Sequence, residues 1–553
     1  MIMLLNKLAF SYRKYFYYLI LILFTERNVM ASPASEIVAA TTTELTKSAD
    51  KKESKEVFAT IPELKEYTDT EILDKIILPL LTKHKEILWF ADKNVAVTQE
   101  APGQSQKAGW TQELVKLDLI KPFAGKYIEL ERMLSSIAFF HLLYEGTPAA
   151  YQKLTSVQKK EEQLSESAFK QLNQLARSVA KDKQSYYAVA LMLIVSDLGK
   201  TPIATERAKQ HRLVQLDHDD FIETLLSQSK DIITDIIPSF AEVPEDTQAF
   251  ITKVASAMKV HLGHALHIEG GQRLFAKFEE AVLAGKISKE VLDFAFLIQL
   301  SDVAAAAAHV DKDGSLSLVN NPCVGYQLVG ESLKLIQAGK TAKDALQWYL
   351  QARGEQLGIS SFEPLNRVMI RLCCMMRLYS KAEGEVLLTA AAKLSIEDSL
   401  LLIEQFGLET KEIGINTWKR NPTYLPAVLL NLGKFQDQRE PLLDKITRAL
   451  EGAVCVARLC RQYASVPENV NSEHPLNFNS LAGLAISKPS LFSSEHFNPE
   501  LFSFEKNSVT LKKIEPKPSP ALTTRFEAVR DAAVSVAAAD PLPIVSDNAQ
   551  FKQ

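Results

Sequence analysis

From about Leu64 to Gln462, apolar residues recur at three- and four-residue steps. The first clear case is Ile72, Leu73, Ile76, Ile77, Leu80 and Leu81, which share one face of an amphipathic helix. Similar stretches cover about 126–145, 167–181, 186–196, 220–237, 246–268, 289–308, 328–338, 342–357, 362–381, 384–406, 424–433 and 439–462. Period-two alternation is nearly absent, and no fixed-period repeat marks a solenoid. The pattern predicts an all-α, irregular multi-helix bundle. Two segments are apolar almost all round: Tyr186 to Val195, and Val291 to Ala308 apart from Asp293, Gln299, Ser301 and Asp302. Helices without a polar face belong in the middle of a bundle.

The ends read differently. Lys7, Arg13 and Lys14 precede an apolar run from Tyr15 to Phe24, too short to span a bilayer. Residues 1–31 read either as a signal or anchor segment, or as a mis-assigned start, with translation truly beginning at Met30. The first implies export or membrane association, the second a cytoplasmic protein; neither predicts a stable membrane span. Residues 32–62 read as a linker rich in Ser, Thr, Ala and Lys. A helical domain at 63–320 and a second helical region at 321–462 follow. The Pro-, Ser- and Asn-rich stretch 463–553 reads as a largely disordered tail with one helix near 522–538, open to a protein partner.

Composition narrows the classes. Hydrophobic residues make up 46% and charged residues 24% of the chain, enough apolar material for a large core. A formal net charge of −4 argues against a nucleic-acid binder, which needs a basic footprint. The odd number of Cys, with no C-x-x-C pair, reads as buried thiols rather than disulfides or a zinc ribbon. No phosphate-binding glycine loop or nucleophile elbow is present. Asp311-x-Asp313-Gly314 lacks the later Glu of a calcium loop, since position 320 is Asn.

The candidate chemistry centres on Ser196-Asp197-Leu198-Gly199-Lys200, directly after the apolar helix 186–195. An ionised Asp there needs a cation, a metal or backbone donors. Gly199 is expected to end the helix in a left-handed turn, and Pro202 to block its continuation. On the helix read over 246–268, His261 falls on the apolar face and His264 flanks it, so both can meet one metal; His267 points further round. The alternative is a set of hydrogen-bonded structural histidines. Asp302 and His309 share a helix face, and the Ala run after Asp302 leaves space for a neighbouring helix or a ligand. Asp220 and Glu223 resemble a capping box, which leaves Asp217 to Asp219 as solvated loop.

The stretch LMLIVSDLGK resembles the hydrophobic helix and HDIGK segment of the HD superfamily of phosphohydrolases. The resemblance covers about residues 125–320 and implies an HD-like core of helices around one or two divalent metals. It implies His141 as the early histidine, Asp197 as the Asp of the His-Asp pair, and His261 and His264 as later ligands. Asp302 is the closing Asp, and Lys200 faces the phosphate. The chain departs from the pattern at Ser196, where the family has His. His211 or the 217–220 cluster, His218 above all, is the candidate replacement. The implied function is hydrolysis of a phosphoester, such as a nucleotide or another phosphorylated small molecule, by water on a bound Mn, Fe, Mg or Zn ion. The rival readings are a helical interaction or scaffold protein without catalysis, and an iron oxidase built on the same ligands.

Overall fold

The computed structural model describes residues 61–512, less residues 93, 96–108, 121–126, 214–217, 259–260, 270, 311–312, 408–422, 436–438, 467–475 and 506–507. The expected leader and the expected helix near 522–538 lie outside the described residues. The rest is an all-α, irregular bundle with one small hairpin. Buried apolar side chains from Tyr67 to Val509 form one connected core.

The helices that carry the candidate residues are α1 (Ile128–Glu145), α2 (Lys183–Val195), α3 (His218–Leu226), α4 (Glu245–Met258), α5 (Leu262–Leu266) and α6 (Lys289–Ala305). Helices α1, α2 and α6 are buried along most of their length, so each is stable only when wrapped by others. They meet in the centre, with α6 lying along α1 and both against α2. Asp182 opens α2 with a capping box to Ser185, and Ser288 caps α6 through Val291 N–H. No single helix among the described residues is long and apolar enough to cross a membrane.

Several expected helices are shorter or divided. The 220–237 stretch becomes α3 and Lys230–Ile236. The 384–406 stretch splits into Lys381–Ala391 and Ile396–Phe406, because the Ser395 hydroxyl accepts Asp398 N–H and starts a new helix. The 246–268 stretch divides into α4 and α5. The Gln299 carboxamide oxygen, 2.5 Å from Leu262 N, accepts an N–H that a continuous helix would have satisfied itself.

Buried polar contacts tie the C-terminal helices to this centre. The Tyr349 hydroxyl donates to Leu266 O at 2.7 Å. The fully buried Arg353 donates to Leu378 O at 2.8 Å and stacks over Tyr379. All five cysteines are free and buried.

Part of the stretch read as a disordered tail is ordered. Helix α7 (Leu442–Ser465) is followed, beyond residues 467–475, by α8 (Asn479–Ser487). Strands β1 (Phe502–Glu505) and β2 (Ser508–Leu511) then pair antiparallel, Phe502 opposite Leu511. Leu476, Phe478, Leu481, Phe492, Phe502 and Val509 are buried, which supplies the apolar burial that fixes this segment.

Candidate functional site

The end of α2 brings the first candidate residues into place. The chain leaves the helix through Ser196 and Asp197 into a 3₁₀ turn, Leu198–Lys200. Gly199 is not left-handed, contrary to expectation. Thr201 caps the next helix, whose first residue is Pro202, so the proline starts a helix instead of only ending one. This tight turn folds Lys200 back on Asp197, with Nζ 2.8 Å from Oδ2. The same Nζ lies 3.2 Å from Glu129 Oε2 in the first turn of α1. One turn further on, Arg132 Nη1 reaches Glu129 Oε1 at 3.2 Å. Glu129, Arg132 and Lys200 are buried, while about a quarter of the Asp197 side chain stays exposed.

Asp302 approaches from α6. The protein packed around its carboxyl raises its pKa to about 6, and the negative charge of Asp197 adds to that rise. Arg132 and Lys200 pull the other way but do not cancel it. The two acidic residues singled out in the sequence, far apart along the chain, therefore share one electrostatic environment. Burial works against the Lys200 ammonium, yet the charges of Asp197 and Glu129 outweigh it and hold its pKa above the ordinary value.

Among the described residues, His309 is the imidazole that feels the charges of this centre. It is buried, and neither ring nitrogen has a hydrogen-bond partner. Burial, then the Arg132 charge, lowers its pKa, so the ring is neutral.

The histidines expected as ligands lie elsewhere or have other partners. His141 is buried two and a half turns along α1 from Arg132, about 13.5 Å at the helical rise. Its Nδ1 meets the Tyr186 hydroxyl at 2.9 Å, Tyr67 packs edge-on to its ring, and burial lowers its pKa to about 4. His261 is not core-facing: with the helix divided, it becomes the exposed N-cap residue of α5. His264 stacks on it with ring centroids 4.6 Å apart, half exposed and 3.9 Å from Glu269. His267 is the inward residue of the run, with Nδ1 2.9 Å from Cys374 O and a pKa lowered to about 3 by burial. His211 pairs with Asp235 at 2.6 Å near the surface. His218 heads α3, which packs on the Leu198–Lys200 turn, but its side chain lies outside the described residues, as does that of Asp220.

Glu129 and Arg132 are absent from the sequence reading. The available signal was two opposite charges at i and i+3 in the apolar stretch of α1, where each needs a partner.

The donor set can be tested against the divalent metal that the HD resemblance implies. It does not fit. The Lys200 ammonium fills the space between Asp197 and Glu129, which is where a bridging cation would bind. The expected imidazole ligands His141, His261 and His264 are not beside Asp197 and Asp302. Among the described residues no group of three or more His, Cys, Asp or Glu side chains is placed to hold a metal ion. Lys200 is committed to its two carboxylates and does not present a free ammonium to a phosphate.

Residues 99–474 match the model of a family described as a family of unknown function (DUF6829). No curated protein matches the chain, and no solved structure does.

Proposed function

The chain belongs to that family, since the match takes in more than half of its residues, and because the family brings no activity with it we propose a reading from this chain's own geometry. The protein is a metal-independent helical interaction protein. It keeps an HD-like convergence of carboxylates but neutralises them with its own side chains. The observation that carries this reading is the Lys200 ammonium, 2.8 Å from Asp197 and 3.2 Å from Glu129. With Arg132 on the far side of Glu129, the centre ties α1, the turn after α2 and α6 together. Charges in such a place give a defined arrangement of helices more than net stability. The partner-binding work then falls to the surface.

A second reading is a divalent-metal phosphoester hydrolase, and the closeness of Asp197 to Asp302 favours it. In that case a bound metal would supply an activated water, and Lys200 would have to leave Asp197 to make room. An iron oxidase makes the same demand on Lys200.

Thermal unfolding of the full chain, with EDTA and with added Mn²⁺, separates these readings, together with turnover of bis-p-nitrophenyl phosphate. The metal-independent reading expects the same midpoint in both conditions and no turnover. A Mn²⁺-dependent rise in midpoint, accompanied by phosphodiester cleavage lost in Asp197→Ala, supports the hydrolase instead.

A further inference from the structure

Outside the carboxylate centre, a second polar cluster joins three segments. His84 follows the Leu78–Lys83 helix and opens the 3₁₀ turn Lys85–Ala91; Tyr187 lies in the first part of α2; Ser239 lies in the 3₁₀ turn Pro238–Glu242. His84 is buried, with Nδ1 2.8 Å from Ser239 Oγ and Nε2 2.9 Å from the Tyr187 hydroxyl. The His84 and Tyr187 rings also stack, 5.7 Å between centroids, which fixes the imidazole plane. Ser239 itself is partly exposed. Beneath it lies Glu86, 3% exposed: Oε1 accepts Ser239 N–H at 2.8 Å, and Oε2 has no hydrogen-bond partner.

We infer that Ser239 is a nucleophile, with His84 as its base and Tyr187 as the positioning residue behind the base. A reachable hydroxyl, hydrogen-bonded to an imidazole whose other nitrogen is held in turn, is the arrangement that serine acyl transfer uses. The working tautomer carries its proton on Nε2 and donates it to the Tyr187 oxygen. Nδ1 then accepts the Ser239 proton. Burial raises the Glu86 pKa, while its hydrogen bonds from Ser239 pull it the other way.

The substrate class is a small activated carboxylic ester. As the Oγ–C bond forms, the hydroxyl proton passes to His84 Nδ1. The ester C–O bond then breaks, and the leaving alcohol takes that proton. Water attacks the acyl-serine and gives a proton to the same nitrogen; the Oγ–C bond then breaks, Ser239 takes that proton back, and the carboxylic acid is released. Burial lowers the His84 pKa to about 3, so the base is weak and turnover slow, and stoichiometric capture reads the site better than steady-state rates.

The full chain is treated with a fluorophosphonate, which forms an Oγ–P bond, expels fluoride and hands the hydroxyl proton to His84. Peptide mass mapping then locates the adduct. We expect one adduct at Ser239, absent in Ser239→Ala, with a labelling rate at least tenfold lower in His84→Gln. Gln can keep a hydrogen bond but cannot take the proton. Tyr187→Phe keeps the ring stack, so it separates orientation from folding: labelling should fall several-fold while the thermal midpoint stays in place. The labelling rate of the native chain should stay level from pH 7.5 to pH 5, because His84 remains neutral throughout. Absence of an adduct at Ser239 in the natively folded chain overturns the inference. So does an equal labelling rate in the native chain and in folded Tyr187→Phe or His84→Gln.

Discussion

The Lys200 ammonium lies 2.8 Å from the Asp197 carboxylate three residues earlier, across the 3₁₀ turn that follows α2. Together with the contact to Glu129, this makes Lys200 the internal counter-ion of the centre. Lys200→Met removes the charge and keeps much of the side-chain length. It leaves the buried Glu129 with less compensation and Asp197 with none from Lys200. Breaking a buried pair in this way costs about 3–5 kcal/mol. Urea unfolding at pH 7.5 checks it: the midpoint should drop sharply with the slope unchanged, and a loss under about 1 kcal/mol would mean the pair is dispensable.

Asp302 predicts a pH dependence of definite sign. Its folded pKa is raised to about 6, against about 3.9 for an unfolded Asp. Between those values the folded state binds more protons than the unfolded state, so this residue's contribution to stability falls as pH rises. Asp302→Asn should abolish that fall. The variant should gain on the native chain by about 1–3 kcal/mol between pH 4 and pH 7.5, from the size of the shift. Urea titrations of both proteins across that range give the answer; parallel curves would refute it.

The buried histidines act in the opposite direction. His84 and His267 have folded pKa values near 3, and His141 near 4. Below about pH 6.5 the unfolded chain takes up protons that these rings refuse, so stability is lost as pH falls. Three such residues outweigh the one opposing Asp302, and the native chain should have a lower urea midpoint at pH 5 than at pH 7.5. A higher midpoint at pH 5 would show that the rings are not buried in their neutral form.

The bundle was legible because the segments of α2 and α6 are apolar almost all round and the others carry a helical period, and a helical interior accommodates such segments. Asp197 and Asp302 stood out in the sequence as acids at or inside apolar runs, and the Asp197 charge acts on Asp302. The division between α4 and α5 was not, since it depends on Gln299, which reaches across from another helix. That division turned His261 from core to surface. The hairpin at 502–511 escaped because four-residue strands carry too few alternations to stand out, and their burial depends on partners such as Phe492 and Tyr463. Glu129 and Arg132 were missed because their partner Lys200 comes from the turn after α2, far along the chain.

The division also separates His261 and His264 from His267 in what substitution does. His261→Ala and His264→Ala change exposed or half-exposed side chains and should shift stability by no more than about 0.5 kcal/mol each. His267→Ala deletes the contact to Cys374 O and leaves a cavity between α5 and the Pro364–Met375 helix, at a cost of about 2–4 kcal/mol. Chemical unfolding of the three variants should give this ranking. Equal losses at all three positions would argue for the undivided helix.

The most direct test of the central claim is the metal content of the full chain, purified separately from Mn-, Fe- and Zn-supplemented cultures and measured by elemental mass spectrometry. With Lys200 as the resident cation between Asp197 and Glu129, each preparation should contain far less than one metal ion per chain. A ratio near one ion per chain, lost in both Asp197→Ala and Asp302→Ala, would contradict the account and restore the metal-dependent reading.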